Sequence, residues 1–266
     1  MFSRSALSIS PFKTRLSQIS STLRLPYSTM SGSDITLYTW PTPNGIKASI
    51  VLEELGLPYK TEGMNISTNI QKEEWYLKIN PNGRIPAILD GTQRVFETGS
   101  ILMYLADKYD TERKISYAPG TPEYIEQTSW VMFQTGGIGP IQGQANHFRV
   151  HAQVRSDYAI KRYIDETKRL YSVLESRLKE SAYLAGEKYT IADIANFTWV
   201  RAGPASLEID LSEFPALQKW VETIDQREAV QNGSNVPQLN RSPEQMAENF
   251  KKSRARIDAM DNSDLH

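Results

Sequence analysis

Thr42-Pro43-Asn44-Gly45 offers chemistry without supplying a nucleophile. The four residues follow a β-branched stretch, Ile35–Thr39, and precede a segment with helical spacing. A helix that begins there leaves its first N–H groups unpaired and points the positive end of its dipole at whatever lies above. Such a place lowers the pKa of a thiol. Thr42 and Asn44 add side-chain donors for the resulting negative sulfur. Taken alone, the same residues also read as a plain turn from strand to helix.

Three further features narrow the ligand. In Arg84-Ile85-Pro86 a hydrophobic residue precedes a proline that opens a buried strand, which makes the bond a candidate for the cis form. The backbone of Ile85 would then face outward and pair with a peptide like an added strand. Arg84 would meet a carboxylate. An ordinary strand start remains the alternative. Glu97-Thr98 stands at the head of the next helix, where free N–H groups suit an anion. Thr98 can donate to that anion, and Glu97 can accept from an ammonium; helix capping alone would account for Thr98. Finally, the chain has no cysteine. Disulfides, thiolate metal sites and cysteine nucleophiles are therefore excluded, and any thiol must arrive with the ligand. A site for a carboxylate, an ammonium, a peptide backbone and a thiol fits glutathione, with no further cofactor expected. The histidines are His147, His151 and His266, and the first two would share a helix face without an acidic or third ligand nearby. They read as helical surface residues rather than a metal pair.

The elements that must hold these residues follow from patterning. Ile35–Thr39 alternates as a strand. A helix follows Gly45 and stops at Gly56, a left-handed end. A second strand runs from Pro58-Tyr59 towards Asn65, and a short polar helix covers about 71–77. Asn80–Gly83 turns into a strand over 85–89. Asp90-Gly91 makes a hairpin into Arg94–Phe96, and Thr98–Tyr109 is helical. Beyond Pro119–Pro122 the strand signal ends. Helices are expected over Tyr124–Ile138 and Tyr158–Lys179. Thr190 and Asp193 form a capping box with Tyr189 and Ile194 as a hydrophobic staple. Another helix starts at Phe214-Pro215, and a short one is expected over 243–257. The fold class is thus an α/β thioredoxin-like domain over 34–112 and an all-α domain over 122–230, with a leader over 1–33 and a polar tail over 231–266.

Lys and Arg number 30 against 31 Asp and Glu, a balance that lacks the footprint of a nucleic-acid binder. No apolar run reaches the length of a membrane span. Residues 1–30 carry arginines, lysine and many serines but no acid, the signature of a mitochondrial transit peptide. A cytoplasmic start at Met30 is the alternative.

From about Ile35 to Val230 the sequence resembles the glutathione transferases. More narrowly it is similar to the group of bacterial Nu-class enzymes and fungal homologues of the yeast nitrogen-regulator prion protein. The resemblance rests on Thr42–Gly45, Asn80–Ile88, Phe96–Ser100, Gly136–Pro140, Gly143-Gln144, His147-Phe148 and Tyr189–Ala195. It implies that Thr42 and Asn44 neighbour the glutathione sulfur. Ile85 would pair with the cysteinyl backbone, Glu97 and Thr98 would hold the γ-glutamyl end, and Arg84 would face the glycine carboxylate. Gln71 matches a glutathione-contacting glutamine. Arg162 matches a second-domain arginine that contacts glutathione disulfide; by its own context it also reads as a solvated helix arginine. Thr98 replaces the commoner serine, and Gln142 replaces an apolar residue near the second-domain site. An Asn/Gln-rich leader, the prion-forming part of the yeast relative, is missing. The resemblance further implies a homodimer that conjugates glutathione to electrophiles in detoxification. A glutathione-dependent disulfide reductase or peroxidase, active against oxidative stress, is the alternative. A non-catalytic glutathione-binding regulator is a third reading.

Overall fold

A computed structural model describes residues 34–239 and 242–262. The expected leader, including its transit-peptide or Met30-start readings, lies outside the described residues, as does His266.

Strand β1 (Ile35–Thr39) is central because both of its edges are used. It pairs in parallel with β2 (Tyr59–Gly63) and antiparallel with β3 (Ala87–Asp90), which pairs antiparallel with β4 (Gln93–Phe96). The order across the sheet is β2-β1-β3-β4. Alternation sorts β1: Ile35, Leu37 and Thr39 are buried, while Thr36 and Tyr38 are half-buried. Strand β3 begins two residues later than expected, because Ile85-Pro86 adopts a cis bond ahead of it. The hairpin between β3 and β4 turns at Gly91, whose φ of 59° is open to glycine at no steric cost.

Helix α1 (Gly45–Glu54) joins β1 to β2 and is buried on almost every side. The short helix expected over 71–77 is divided: a tight turn over Ile70–Lys72 precedes α2 (Glu74–Leu77). Tyr76 of α2 forms a small core with Met64 and Ala87 on the sheet face away from the main core. Helix α3 (Thr98–Tyr109) has the expected bounds and buries Ile101, Leu102, Leu105 and Ala106.

Among the described residues the second half is helical. Helix α4 (Pro122–Phe133) does not run on to Ile138 as an α-helix. It passes into a π turn (Gln134–Ile138), then α5 (Gly139–Asn146), then a second π turn (His147–His151). Pro140 explains the change, since it lacks an N–H and crowds the carbonyl four residues back. Gly139 N–H instead bonds Gln134 O, five residues back. Helix α6 (Asp157–Glu180) and α7 (Ile191–Leu207) follow, then α8 (Pro215–Asp225). The capping box of α7 is present in both directions. Asp193 is fully buried and accepts from Thr190 N–H, Leu184 N–H and Trp220 Nε1–H at 2.9 to 3.0 Å.

The segment expected as a polar tail begins inside another helix, α9 (Glu228–Ser234). It packs on α1 through Gly233: a Cβ there would lie 2.6 Å from the Ile50 backbone. Ser49 Oγ donates to Gly233 O across the same contact at 2.6 Å. Helix α10 (Pro243–Asp258) completes the described chain, with Arg149 bridging to Asp258 at 2.7 Å. No described helix is long and apolar enough to cross a membrane.

Candidate functional site

The head of α1 is organised by short polar contacts. Thr42 Oγ1 accepts from Gly45 N–H at 3.0 Å, so its hydroxyl proton remains to be given elsewhere. Gly45 is needed because a Cβ would fall 1.8 Å from Trp40 O. Asn44 makes no cap with its side chain. Its Oδ1 accepts from Lys47 Nζ at 3.0 Å and from Trp199 Nε1 at 2.9 Å. Neither of those groups has an acceptor, so the amide orientation is forced. Its Nδ2 is left as a donor and has no partner among the described residues.

Across the cleft, Tyr76 OH and Asn80 Nδ2 both donate to Arg84 O at 2.7 Å. These bonds hold the chain ahead of the cis bond and present Ile85. The close turn at Gly83, with φ of 59°, brings Arg84 beside the Gln71 segment; a Cβ there would meet Gln71 O at 2.9 Å. Gln71 is 9% exposed, yet its Oε1 has no partner among the described residues. A buried acceptor left open costs about 1–3 kcal/mol, so the arrangement suits a ligand that donates to it.

Glu97 sits at φ 69°, an uncommon region for a residue with a side chain. Its Oε1 accepts from Asn82 Nδ2 at 3.3 Å. Thr98 follows at the first turn of α3, and its Oγ1 accepts from Lys47 Nζ at 3.3 Å.

Thr42, Asn44, Gln71, Arg84, Ile85, Glu97 and Thr98 all line one cavity of about 470 Å³, which Trp199 closes from the second half of the chain. Arg162 is not among its lining residues. It sits exposed on α6 and lines a different cavity of about 760 Å³ with Tyr158, Lys161 and Arg169. The fold therefore brings seven of the expected residues together and leaves the eighth apart. Gln142, expected near the second-domain site, is fully buried and structural. Its Nε2 donates to Trp199 O at 2.7 Å, and its Oε1 accepts from Tyr171 OH at 2.9 Å. His147 and His151 are exposed on the second π turn, and no group of three metal-binding side chains occurs among the described residues.

Two site residues were not anticipated. Trp199 donates across 155 positions of sequence, which no local pattern reports. Lys47 is 0% exposed and donates to Asn44, Thr98 and Gln134 Oε1, the last at 2.5 Å. Burial pushes its ammonium well below lysine's ordinary pKa, while the Glu97 carboxylate pulls it back up. The available signal was its place: three residues after Asn44, in a helix otherwise too apolar and small to have a solvated face.

Known proteins share this arrangement of parts. The glutathione S-transferase N-terminal domain family matches residues 33–107, and the C-terminal domain family matches 148–228. The disulfide-bond oxidoreductase YfcG of Escherichia coli is 42% identical over 203 residues, 74% of this chain and 92% of that protein. Glutathione S-transferase 1 of Schizosaccharomyces pombe is 39% identical, over 70% of this chain and 89% of that protein. A crystal structure of a glutathione transferase homologue from Lodderomyces elongisporus, with two GSH per subunit, superposes with a TM-score of 0.74 at 46% identity. It covers 77% of this chain and 99% of its own. With a thioredoxin-like domain ahead of a helical one and these matches over both, the chain belongs to the glutathione transferase family.

Proposed function

We propose that the protein binds glutathione in the cleft at the head of α1 and holds its sulfur there as a thiolate, for attack on an electrophile. The observation that carries this reading is Asn44 Nδ2, a forced donor without a partner among the described residues, in a chain with no cysteine. Asn44 Nδ2–H and the Thr42 hydroxyl are preorganised donors for a negative sulfur. Ile85 would pair with the cysteinyl backbone, Glu97 and Thr98 with the γ-glutamyl end, and Arg84 with the glycine carboxylate. Gln71 Oε1 is an open acceptor for a ligand N–H. In conjugation the thiolate forms a carbon–sulfur bond and the leaving group departs with the electron pair. No side chain of the turn is a base, so the thiol proton passes to water or to the ligand's own carboxylate.

Disulfide reduction is the second reading, favoured by the 42% identity to a disulfide-bond oxidoreductase and by a relative holding two GSH per subunit. One glutathione thiolate then attacks a glutathione-capped sulfur, glutathione disulfide forms, and the freed thiolate takes up a proton. Because the chain has no cysteine, both sulfurs of the product come from ligands.

An activity panel decides between them: an aryl halide, a glutathione-capped small disulfide and an organic hydroperoxide, each with the wild type and Asn44→Ala. Turnover of the halide without disulfide exchange supports conjugation, and the reverse supports reduction. Glutathione that binds with an ordinary thiol pKa, and turnover untouched by Asn44→Ala, would leave a binding protein instead of an enzyme.

A homodimer belongs to the same proposal. It is supported by an apolar groove of about 500 Å³ between α3 and α4, where Met103, Tyr104 and a 48%-exposed Met132 lie together. A single-chain mass by light scattering would be the contrary result.

A further inference from the structure

We infer that Lys47 is a positioning residue for the thiol chemistry: its ammonium fixes which atoms of Asn44 and Thr98 face the ligand and places a positive charge behind the sulfur. The inference rests on the glutathione reading above.

The argument begins with proton counting. An ammonium has three protons and no acceptor. Lys47 Nζ meets three oxygens: Asn44 Oδ1, Thr98 Oγ1 and Gln134 Oε1. All three protons are used, and a neutral amine would turn a lone pair towards one of those oxygens. Because the ammonium only donates, each partner must show it an oxygen. At Asn44 this occupies the carbonyl end, with Trp199 Nε1–H on the same atom, and turns the N–H end to the cleft. At Thr98 it occupies the hydroxyl oxygen, so the hydroxyl proton is free for the cleft. One buried cation therefore sets the polarity at both the sulfur end and the γ-glutamyl end.

Burial works against the ammonium, and little around it compensates. Asn44, Thr98 and Gln134, which bond the ammonium from the head of α1, from α3 and from the first π turn, are neutral, and Glu97 is the carboxylate that acts on it. A buried cation is costly to keep, and an apolar side chain of similar volume would spare that cost. A bound thiolate is the missing counter-charge, and an opposite charge nearby favours the ionised thiol.

Gln134 holds this lysine because Gly139 leaves it room. A Cβ at Gly139 would lie 2.5 Å from Gln134 Nε2. Gln134 opens the π turn, so the turn and the glycine that follows it bring an acceptor from the second half of the chain to Lys47 of α1.

The test compares wild type, Lys47→Met and Gln134→Leu by calorimetric binding of glutathione and S-methylglutathione, by thermal melting, and by ultraviolet titration of the bound thiol. In folded Lys47→Met the bound thiol pKa is expected to rise by about one unit or more. Turnover at neutral pH then falls about tenfold or more. Binding of S-methylglutathione, which has no ionisable thiol, should change far less. Asn44→Ala added to Lys47→Met should cost little further, because the amide is no longer oriented. Gln134→Leu removes one acceptor outside the cleft and should move the bound thiol pKa in the same direction. A folded Lys47→Met whose bound thiol titrates like wild type overturns the inference. If Lys47→Met does not fold, an unchanged thiol pKa in Gln134→Leu overturns it. Wild-type protein that binds no glutathione sinks the functional reading and this inference with it; binding without any lysine dependence sinks the inference alone.

Discussion

Asn44 separates holding a site together from acting within it. Its Oδ1 is tied to Lys47 and Trp199, and its Nδ2 is free for a ligand. Asn44→Asp keeps an oxygen for both ties and exchanges the donor for a second acceptor. The protein should therefore fold, with a melting temperature near wild type. The bound thiol pKa should rise, and kcat should fall by roughly 10²–10³, the usual effect of losing one preorganised donor. A melting curve and a thiol titration on one preparation check both halves. Six of the residues lining the cleft were readable because turn chemistry, a proline and a helix start are local signals; Gln71 was named only through the family resemblance. Lys47 was not readable, because a lysine three residues into a helix reads as solvated. What buries it is packing on both sides, from segments far away in sequence.

At the scale of elements, α7 is held by its capping box. Asp193 is fully buried, and despite its donors burial pushes its carboxyl up to about 6. The unfolded chain titrates near the ordinary value of about 3.9. Between those values the folded protein binds a proton that the unfolded one has lost. Stability from this group is therefore complete below about pH 4 and is lost as pH rises through about 6. A rise of that size is worth on the order of 3 kcal/mol. Asp193→Asn should destabilise throughout, by losing an acceptor for Thr190 N–H, and by more at about pH 4 than at about pH 8. Urea melts of both proteins at the two pH values measure the difference.

Helix α9 was not legible, and its mode of packing says why. Its contact with α1 depends on a side chain that is missing at Gly233, so it leaves little hydrophobic pattern to find. Gly233→Val puts methyl groups where Ile50 backbone stands. It should cost about 2–4 kcal/mol, read as a lower urea midpoint with an unchanged slope. An unchanged midpoint would mean that α9 is not docked there in solution.

For the whole molecule, the order of elements and the division into a thioredoxin-like and a helical part were legible from periodicity and caps. The first π turn was not, since it arises where Pro140 and Gly139 redirect a run that otherwise reads as one helix. Nor was the lining of the cleft by Trp199, which depends on how the two parts meet. Arg162 shows the converse: a motif match places a residue in a family alignment, and α6 places it at another cavity. The joint between the parts has a measurable signature. In partial denaturant that loosens the helices, bound S-methylglutathione should persist to higher denaturant than the depressed thiol pKa does. Simultaneous loss of the two would count against it.

The joint also bears on how the protein is made. Thr42, Asn44, Gln71, Ile85, Glu97 and Thr98 are all synthesised before Gln134 and Trp199. A growing chain thus has the residues at the head of α1 and α3 before it has the two that reach them from the helical part. Until α7 is folded, the amide of Asn44 lacks one of the two bonds that aim it. If the protein holds glutathione as proposed, an unfinished copy has the residues that would grip the tripeptide before it has the indole that helps aim Asn44, and its thiol would be quiet rather than unguarded.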